Sequence, residues 1–340
     1  MSDDLILFIF DSPLGGPPSP GQGSVQVGLL LDRILGDLAD QPIGIAGDIV
    51  FVTVSLSVVE QVESAFDIAT AGSGVIVGRP GEEERRWRER FFSDMKAAER
   101  LFSAKNLDRL VFDAESVCNL QNAEIVRYYE VVPFWTQHGV RRPVAELVAP
   151  LERLGLICRL DSWAVEETVR ALQSNPDLSL GCNVTAQSAS LDASWTSILA
   201  VLGEQREIAQ RLVIELSEVT SSIDLGKVGA FVRRIQVLGC QVALDNVGGG
   251  HSSIEALATL GVDVVKIDAG RLREARESEP AKDFLRNLVL LARGTCADVV
   301  ITGVEGEDDL VIAELAGATH IQGPCFQHDV ISGLNISSTH

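Results

Sequence analysis

Apolar and polar positions change rhythm along the chain. In the second part, short β-branched runs alternate with longer stretches whose apolar residues recur at helical spacing. Segments 213–216, 242–245, 264–267, 299–302 and 320–321 read as strands, and 225–238, 253–260, 281–293 and 308–316 as helices. Upstream, 144–154 and 163–173 have helical spacing, the latter with Asp161 or Ser162 as N-cap, and 178–182 reads as a further strand. Repeated βα units over about 240 residues fit a (β/α)8 barrel, with an open doubly wound sheet as the competing arrangement.

Residues 1–90 follow a different order and predict a small α/β domain. Segments 5–10, 49–56 and 74–78 read as strands, 13–23 as a Gly/Pro-rich loop, and 25–38 and 58–71 as helices. A mixed-charge helix begins at Glu82 and runs to about Ser103. It reads as a solvated connector with Trp87, Phe91 and Phe92 turned inward, or as a helix for a partner or a second copy. The expected division is 1–90 for the small α/β domain and 91–335 for the barrel.

With 46% hydrophobic and 22% charged residues, the composition is that of a soluble globular protein. The 48 acidic residues outnumber the 28 basic ones, giving a net charge of -20. Such a field excludes a broad nucleic-acid surface and opposes anionic lipid, though a pocket can still take a small anion. The acidic start, Met1-Ser2-Asp3-Asp4, and the short apolar run 5–10 predict neither a signal peptide nor a membrane span, and so a cytoplasmic protein. Six scattered cysteines without a Cys-x-x-Cys pair predict free thiols rather than disulfides or a zinc site.

The candidate chemistry lies at strand ends. Glu215, Asp245, Lys266, Asp268 and Glu305 fall within or just after expected strands, and Asn183 follows strand 178–182. In a barrel these positions meet at the mouth formed by the βα loops. Carboxylates and an amide converging there suit hard divalent cations, and phosphoester hydrolysis is a reaction such clusters serve. Taken singly, each carboxylate has another reading as the cap of the next helix, and Lys266 as an ion-pair partner.

Several segments resemble one known family, in order. Asn183-Val184-Thr185 is similar to its Asn-Val-Ser, Glu215-Leu216-Ser217-Glu218 to its Glu-Leu-Thr-Glu, and Leu244-Asp245-Asn246-Val247-Gly248-Gly249-Gly250-His251-Ser252-Ser253 to its Leu-Asp-Asp-Phe-Gly-Thr-Gly-Tyr-Ser-Ser. Lys266-Ile267-Asp268 matches Lys-Ile-Asp, Gly303-Val304-Glu305 the end of Ala-Glu-Gly-Val-Glu, and Gln322-Gly323 a late Gln-Gly. These are the motifs of EAL domains, the cyclic di-GMP phosphodiesterase family, and the resemblance covers about residues 95–333. It implies a modified TIM barrel. It also implies Glu130, Asn183, Glu215 and Asp245 as residual metal ligands, and Asn183, Lys266, Asp268, Glu305 and Gln322 as candidate nucleotide contacts. Glu218 with Gly248, Gly249 and Gly250 would form the loop that couples the site to dimer formation. The eponymous motif is altered: Glu130-Val131-Val132-Pro133-Phe134-Trp135 stands for Glu-Ala-Leu-Leu-Arg-Trp, whereas an ungapped alignment from Leu110 to Glu124 puts Tyr129 at the first position instead.

The departures from the family bear on chemistry. Phe134 stands where the family has a phosphate-contacting arginine, whose bidentate, charge-assisted bonds a phenyl ring cannot supply. Asn246 replaces the second aspartate of the Asp-Asp pair, and Thr302 the glutamate assigned as general base. A threonine hydroxyl is no proton acceptor near neutral pH. The resemblance as altered implies an inactive regulatory protein of cyclic di-GMP signalling that meets a protein partner or its own copy. A receptor that binds cyclic di-GMP without cleaving it, and a weak metal-dependent phosphodiesterase, are the alternatives. No cofactor is required on this reading, with Mg2+ or Mn2+ entering only if the remaining donors still hold a cation. Ala46-Gly47-Asp48-Ile49-Val50-Phe51 sits where a GGDEF domain carries its signature, so 1–90 more weakly resembles a shortened GGDEF domain without its metal-binding glutamate.

Overall fold

The computed structural model describes residues 43–45, 48–50 and 82–325, apart from 107–109, 138–139, 192, 218–222, 250–253 and 297. The chain divides into two compact units, Met1–Val77 and Gly78–His340. In the first, strands β1 (Ile43–Ile45) and β2 (Asp48–Val50) pair antiparallel, with Ile45 opposite Asp48. The segments read from sequence at 5–10, 13–23, 25–38, 58–71 and 74–78 lie outside the described residues.

The second unit opens with α1 (Glu82–Asn106), which buries Asp94, Met95, Ala98 and Leu101. Phe92, expected to turn inward, is 58% exposed, because it stands off the stripe that 94, 95, 98 and 101 define at helical spacing. A long hairpin follows, β3 (Leu110–Asn119) and β4 (Val126–Gln137), with β5 (Val140–Pro143) added antiparallel to the end of β4. A 3-10 turn over Val144–Leu147 leads through α2 (Val148–Arg153) to α3 (Ile157–Ser174). Then come β6 (Leu180–Thr185), a short 3-10 turn, α4 (Thr196–Glu204), α5 (Arg206–Ala209), β7 (Leu212–Ser217), α6 (Leu225–Leu238), β8 (Gln241–Val247) and α7 (Ile254–Thr259). The series ends with β9 (Val264–Ile267), α8 (Ala269–Glu277), α9 (Glu279–Arg293), β10 (Asp298–Thr302), α10 (Glu307–Ala316) and β11 (His320–Gln322).

Eight strands close on themselves in the order β3-β11-β10-β9-β8-β7-β6-β4, with β4 returning to β3. The pairings from β4 through β11 are parallel, whereas β3 runs antiparallel to both its neighbours. Closure rules out the open doubly wound sheet and gives a modified TIM barrel. The helices stop where their capping chemistry dictates. Asp224 accepts from Gly226 N and Lys227 N at the start of α6, whose end turns through Gly239 at φ 107°, and Ser278 accepts from Ala281 N at the start of α9.

One capping expectation fails. The helix read over 163–173 begins at Ile157, so Asp161 lies inside it, buried. Its carboxylate accepts from Thr185 N at 2.9 Å and Thr185 Oγ1 at 2.7 Å, pinning α3 to the end of β6. Ser162 is likewise internal and donates back to Cys158 O. No disulfide joins any of the six cysteines. Among the described residues, no helix is long and apolar enough to cross a membrane.

Candidate functional site at the barrel mouth

Side chains of a strand alternate between its two faces, so the barrel interior is built in layers two residues apart. Val117, Tyr128, Val213, Ala243, Val264 and Val300 make one apolar layer. Two positions further toward the mouth stand Glu115, Glu130, Glu215, Asp245, Lys266 and Thr302, so the alternation that packs the core also fixes the polar layer above it. Asn183 faces this layer from β6 and Gln322 from β11. Gly181 makes room for it: a Cβ there would lie 2.6 Å from the Tyr128 ring and 2.7 Å from Glu215 Oε1.

Glu130 is the hub. Asn183 Nδ2 donates to its Oε1 at 2.5 Å, while Lys266 Nζ at 2.5 Å and Gln322 Nε2 at 2.7 Å donate to its Oε2. Lys266 Nζ also donates to Glu215 Oε2 at 2.6 Å and lies 4.0 Å from Asp245 Oδ1. Glu130, and not its neighbour Tyr129, is the residue that takes these three donors. Lys266 is 1% exposed and Glu215 fully buried.

Burial sets the proton affinities, and the ion pairs then divide them. Burial alone would depress the Lys266 ammonium, but Glu130 and Glu215 outweigh it and hold the group well above the usual lysine range. Burial would raise Glu130, yet Lys266 and the amide donors keep it below its ordinary value. Glu215 is pushed up to about 8 by burial and by the neighbouring Glu130 charge, against the pull of Lys266. Asp245 is raised by burial, with Lys266 opposing. Half-buried Glu115, directly opposite Glu130 on β3, is raised by burial and then by Glu130.

The other candidates are placed elsewhere. Asp268 accepts from Gly270 N at 2.9 Å and caps α8, the alternative role that sequence allowed. Glu305 is exposed and turned to Arg276 Nη1 at 3.1 Å, and Arg276 also grips Asp309 through two bonds of 2.7 Å. Thr302 Oγ1 donates to Ile267 O at 2.8 Å across the β9–β10 pair. Asn246, at φ 56°, holds its Nδ2 3.0 Å from Asp245 Oδ2, a left-handed backbone that Asn tolerates better than most residues. Gly248 at φ 91° and Gly249, whose N–H donates to Asn246 O, turn the chain sharply out of β8. Glu218 and Gly250 lie outside the described residues.

Sequence reasoning missed three participants. Glu115 is one. Arg141, from β5, lays its guanidinium over the Phe134 ring at 4.0 Å to the centroid and pairs with Asp113. Arg276 is the third. The signal for Glu115 was present in the Asp113-x-Glu115-x-Val117 alternation, but Arg141 and Arg276 reach their partners through the fold alone.

A divalent cation needs several oxygens turned to one point. Here that point carries the ammonium of Lys266, and the amide of Asn183 offers Glu130 its N–H. Among the described residues, no group of three or more His, Cys, Asp or Glu side chains is arranged to hold a metal ion. Two oxygens beside that point, Glu215 Oε1 and Gln322 Oε1, are buried without a hydrogen-bond partner.

Comparison with known proteins agrees with the motif order. The family model described as EAL domain matches residues 98–329. Cyclic di-GMP phosphodiesterase PdeR of Escherichia coli is 25% identical over 215 residues, covering 59% of this chain and 31% of that protein. Signaling protein YkoW of Bacillus subtilis is 21% identical over 227 residues, covering 66% and 28%. The chain thus spans about a third or less of the length of these curated relatives. Among solved structures, the S helix-GGDEF-EAL portion of Vibrio cholerae LapD superposes with a TM-score of 0.63 at 18% identity, over 69% of this chain and 57% of that one. The FimX EAL domain of Pseudomonas aeruginosa, bound to c-di-GMP, gives 0.60 at 21% identity, over 71% and 97%. With the closed barrel, the order of the motifs and the family match over most of the second unit, this chain belongs to the EAL domain family.

Proposed function

We propose that this chain is a catalytically inactive EAL-type regulatory protein of cyclic di-GMP signalling in the cytoplasm, acting through contact with a protein partner or a second copy. On this reading residues 91–335 are the working barrel, and 1–90 are a small α/β domain descended from a GGDEF-type unit. The observation that carries it is Thr302. Its hydroxyl stands at the family's general-base position and spends its proton on Ile267 O. An alcohol so engaged takes no proton from an attacking water, and losing a base costs on the order of 10² to 10⁴ in rate. Two further placements support the same reading: Asn246 presents an N–H to Asp245 where a second carboxylate would stand, and Glu305 is held by Arg276.

The test is direct. Purified full-length protein, incubated with cyclic di-GMP and Mg2+ or Mn2+, is expected to leave the nucleotide intact. Turnover would overturn the reading in favour of a weak phosphodiesterase. The double variant Thr302→Glu/Asn246→Asp restores the acidic groups and is the variant in which any latent hydrolysis would surface.

One observation favours a second reading, a receptor that binds cyclic di-GMP uncleaved through Asn183, Lys266 and Gln322, with Asp268 and Glu305 at the rim. The guanidinium of Arg141, stacked on Phe134, brings a cation to the strand position where the family's arginine is missing. Calorimetry with cyclic di-GMP separates the two readings: binding heat abolished by Arg141→Ala supports the receptor, and no heat at high protein concentration excludes it.

A further inference from the structure

Two helices on the outside of the barrel carry charge of one sign only, and their exposed faces complement each other. Helix α6 has three bases, Lys227, Arg233 and Arg234, and no acid. All three are exposed, and they share the outward face with Val237, which is 73% exposed. Helix α10 has four acids and no base. Asp309 turns inward to Arg276, which leaves Glu307, Asp308 and Glu314 exposed beside Val311, 54% exposed, and Leu315, 71% exposed. We propose that the α6 face of one copy docks on the α10 face of a second copy, so that the chain associates head to tail.

Three observations carry this. The first is the match itself: on α6 cations stand beside an exposed valine, and on α10 anions stand beside an exposed valine and leucine, each set at helical spacing. The chain has 48 acids against 28 bases, and among the described helices α6 alone carries bases without acids, so it is the helix that an acidic face of the same chain selects. Second, among the described residues the side chains of Lys227, Arg233, Arg234, Glu307, Asp308 and Glu314 make no ion pair or hydrogen bond within their own copy. Third, two of these charges stand against their own helix. Lys227 lies in the first turn of α6 and Glu314 in the last turn of α10, where the helix dipole disfavours each, so neither is placed by the needs of the helix that carries it.

The position of the two faces fixes the kind of assembly. Helix α6 links β7 to β8 and α10 links β10 to β11, with α7, α8 and α9 between them, so the faces lie on different sides of the ring and their contact is heterologous. Each copy that docks keeps one face free, and copies add in a row. A contact between two single helices falls at the small end of interfaces, below about 1,200 Å², so the association is weak and reversible. The net charge of -20 opposes it at long range, but in about 0.15 M salt the screening length of about 8 Å leaves contacts at ion-pair distance in force. The inference rests on the second-copy form of the interaction reading and gives that form its surfaces.

The experiment is sedimentation velocity on the full chain over a concentration series. Wild type in about 0.15 M salt is expected to show an average mass that rises with concentration past that of a dimer, and to fall back toward monomer in about 1 M salt, where the screening length shrinks to about 3 Å. The variant Arg233→Gln/Arg234→Gln/Val237→Gln removes the α6 face, and Val311→Gln/Glu314→Gln/Leu315→Gln removes the α10 face. All six positions are exposed, so both variants are expected to keep the wild-type melting temperature. Each alone is expected to stay monomeric. Mixed, they are expected to form a dimer of one copy of each and nothing larger, because one intact face of each kind remains. If either triple variant melts below wild type, the single variants Arg234→Gln and Glu314→Gln are expected to give the same pattern in weaker form. The proposal is overturned by a wild type that stays monomeric or stops at a dimer, by a variant that associates alone as wild type does, or by a mixture that stays monomeric. A monomeric wild type that leaves cyclic di-GMP intact sinks this inference and not the inactive reading, which then keeps a foreign protein as its partner. Turnover by a chain that associates head to tail does the reverse.

Discussion

The interior cluster and the rim clamp set the same chemistry in two environments. Inside the barrel, Lys266 joins Glu130 and Glu215 at 1% exposure of the lysine. At the rim, Arg276, 31% exposed, joins Asp309, itself only 4% exposed, and Glu305, which is 57% exposed. Arg276 makes more hydrogen bonds than Lys266, yet the lysine governs more of the fold. Water can replace Arg276 as a partner for Glu305, whereas Lys266 is closed off from water between Glu215, fully buried, and Glu130, 14% exposed. Removing one member of a buried ion pair costs about 3 to 5 kcal/mol, and an exposed pair contributes about 0 to 1 kcal/mol.

That contrast sets the largest expected effect. In urea denaturation, Lys266→Met should lose about 3 to 5 kcal/mol and Glu305→Gln, which breaks only the exposed half of the rim clamp, no more than about 1 kcal/mol. Equal losses would mean that burial is not what separates the two sites. Next in size is Gly181→Ala, whose methyl group has no space beside Tyr128 and Glu215. Overpacking of this kind costs about 1 to 3 kcal/mol, and a neutral result would show that the ring can shift away.

A pH series sharpens the comparison further. Glu215 is raised to about 8 from its ordinary 4.5, so between these values the folded chain holds a proton that the unfolded chain has released. Its contribution is fully present below pH 4.5 and is lost as pH rises toward about 8. Glu215→Gln removes this dependence, so the stability difference between wild type and variant should drift against wild type as pH rises through that window. A parallel pair of curves would contradict it. The smallest expected effect is Thr302→Val, which deletes one hydrogen bond to Ile267 O and should cost about 1 kcal/mol. A larger loss would give Thr302 a structural weight that its single bond does not suggest.

Much of the barrel was legible because its parallel strands are buried on both faces and read as β-branched runs, as at 264–267 and 299–302. The hairpin over 110–137 was not, for the opposite reason. Near the mouth its interior face carries Asp113, Glu115 and Glu130 while Phe112, Ala114 and Val131 pack outward, so polar-inside alternation looks like an ordinary half-buried strand turned around. Helix α8 escaped because Leu272 and Ala275 alone are buried in a run of charges. At the site, strand-end position correctly gathered Glu215, Asp245, Lys266 and Asn183. It could not tell which way Asp268 and Glu305 would turn, since local partners decide that: Gly270 N two residues on for Asp268, and Arg276 from another helix for Glu305. Asp161 was misplaced as a cap because Thr185, its partner, lies 24 residues away on a strand.

The seam of the ring has a consequence for how the molecule assembles. The strands farthest apart in sequence meet here, where His320, Ile321 and Gln322 of β11 pair with Asn119, Cys118 and Val117 of β3. This is the pairing with the longest loop to close, and so the one with the largest closure entropy in the ring. Gln322, the last residue of the last strand among the described residues, is also one that reaches Glu130. The carboxylate hub therefore takes its third donor from the strand that closes the ring, so any opening of that seam removes a Glu130 contact and leaves β3 and β11 as unpaired edges.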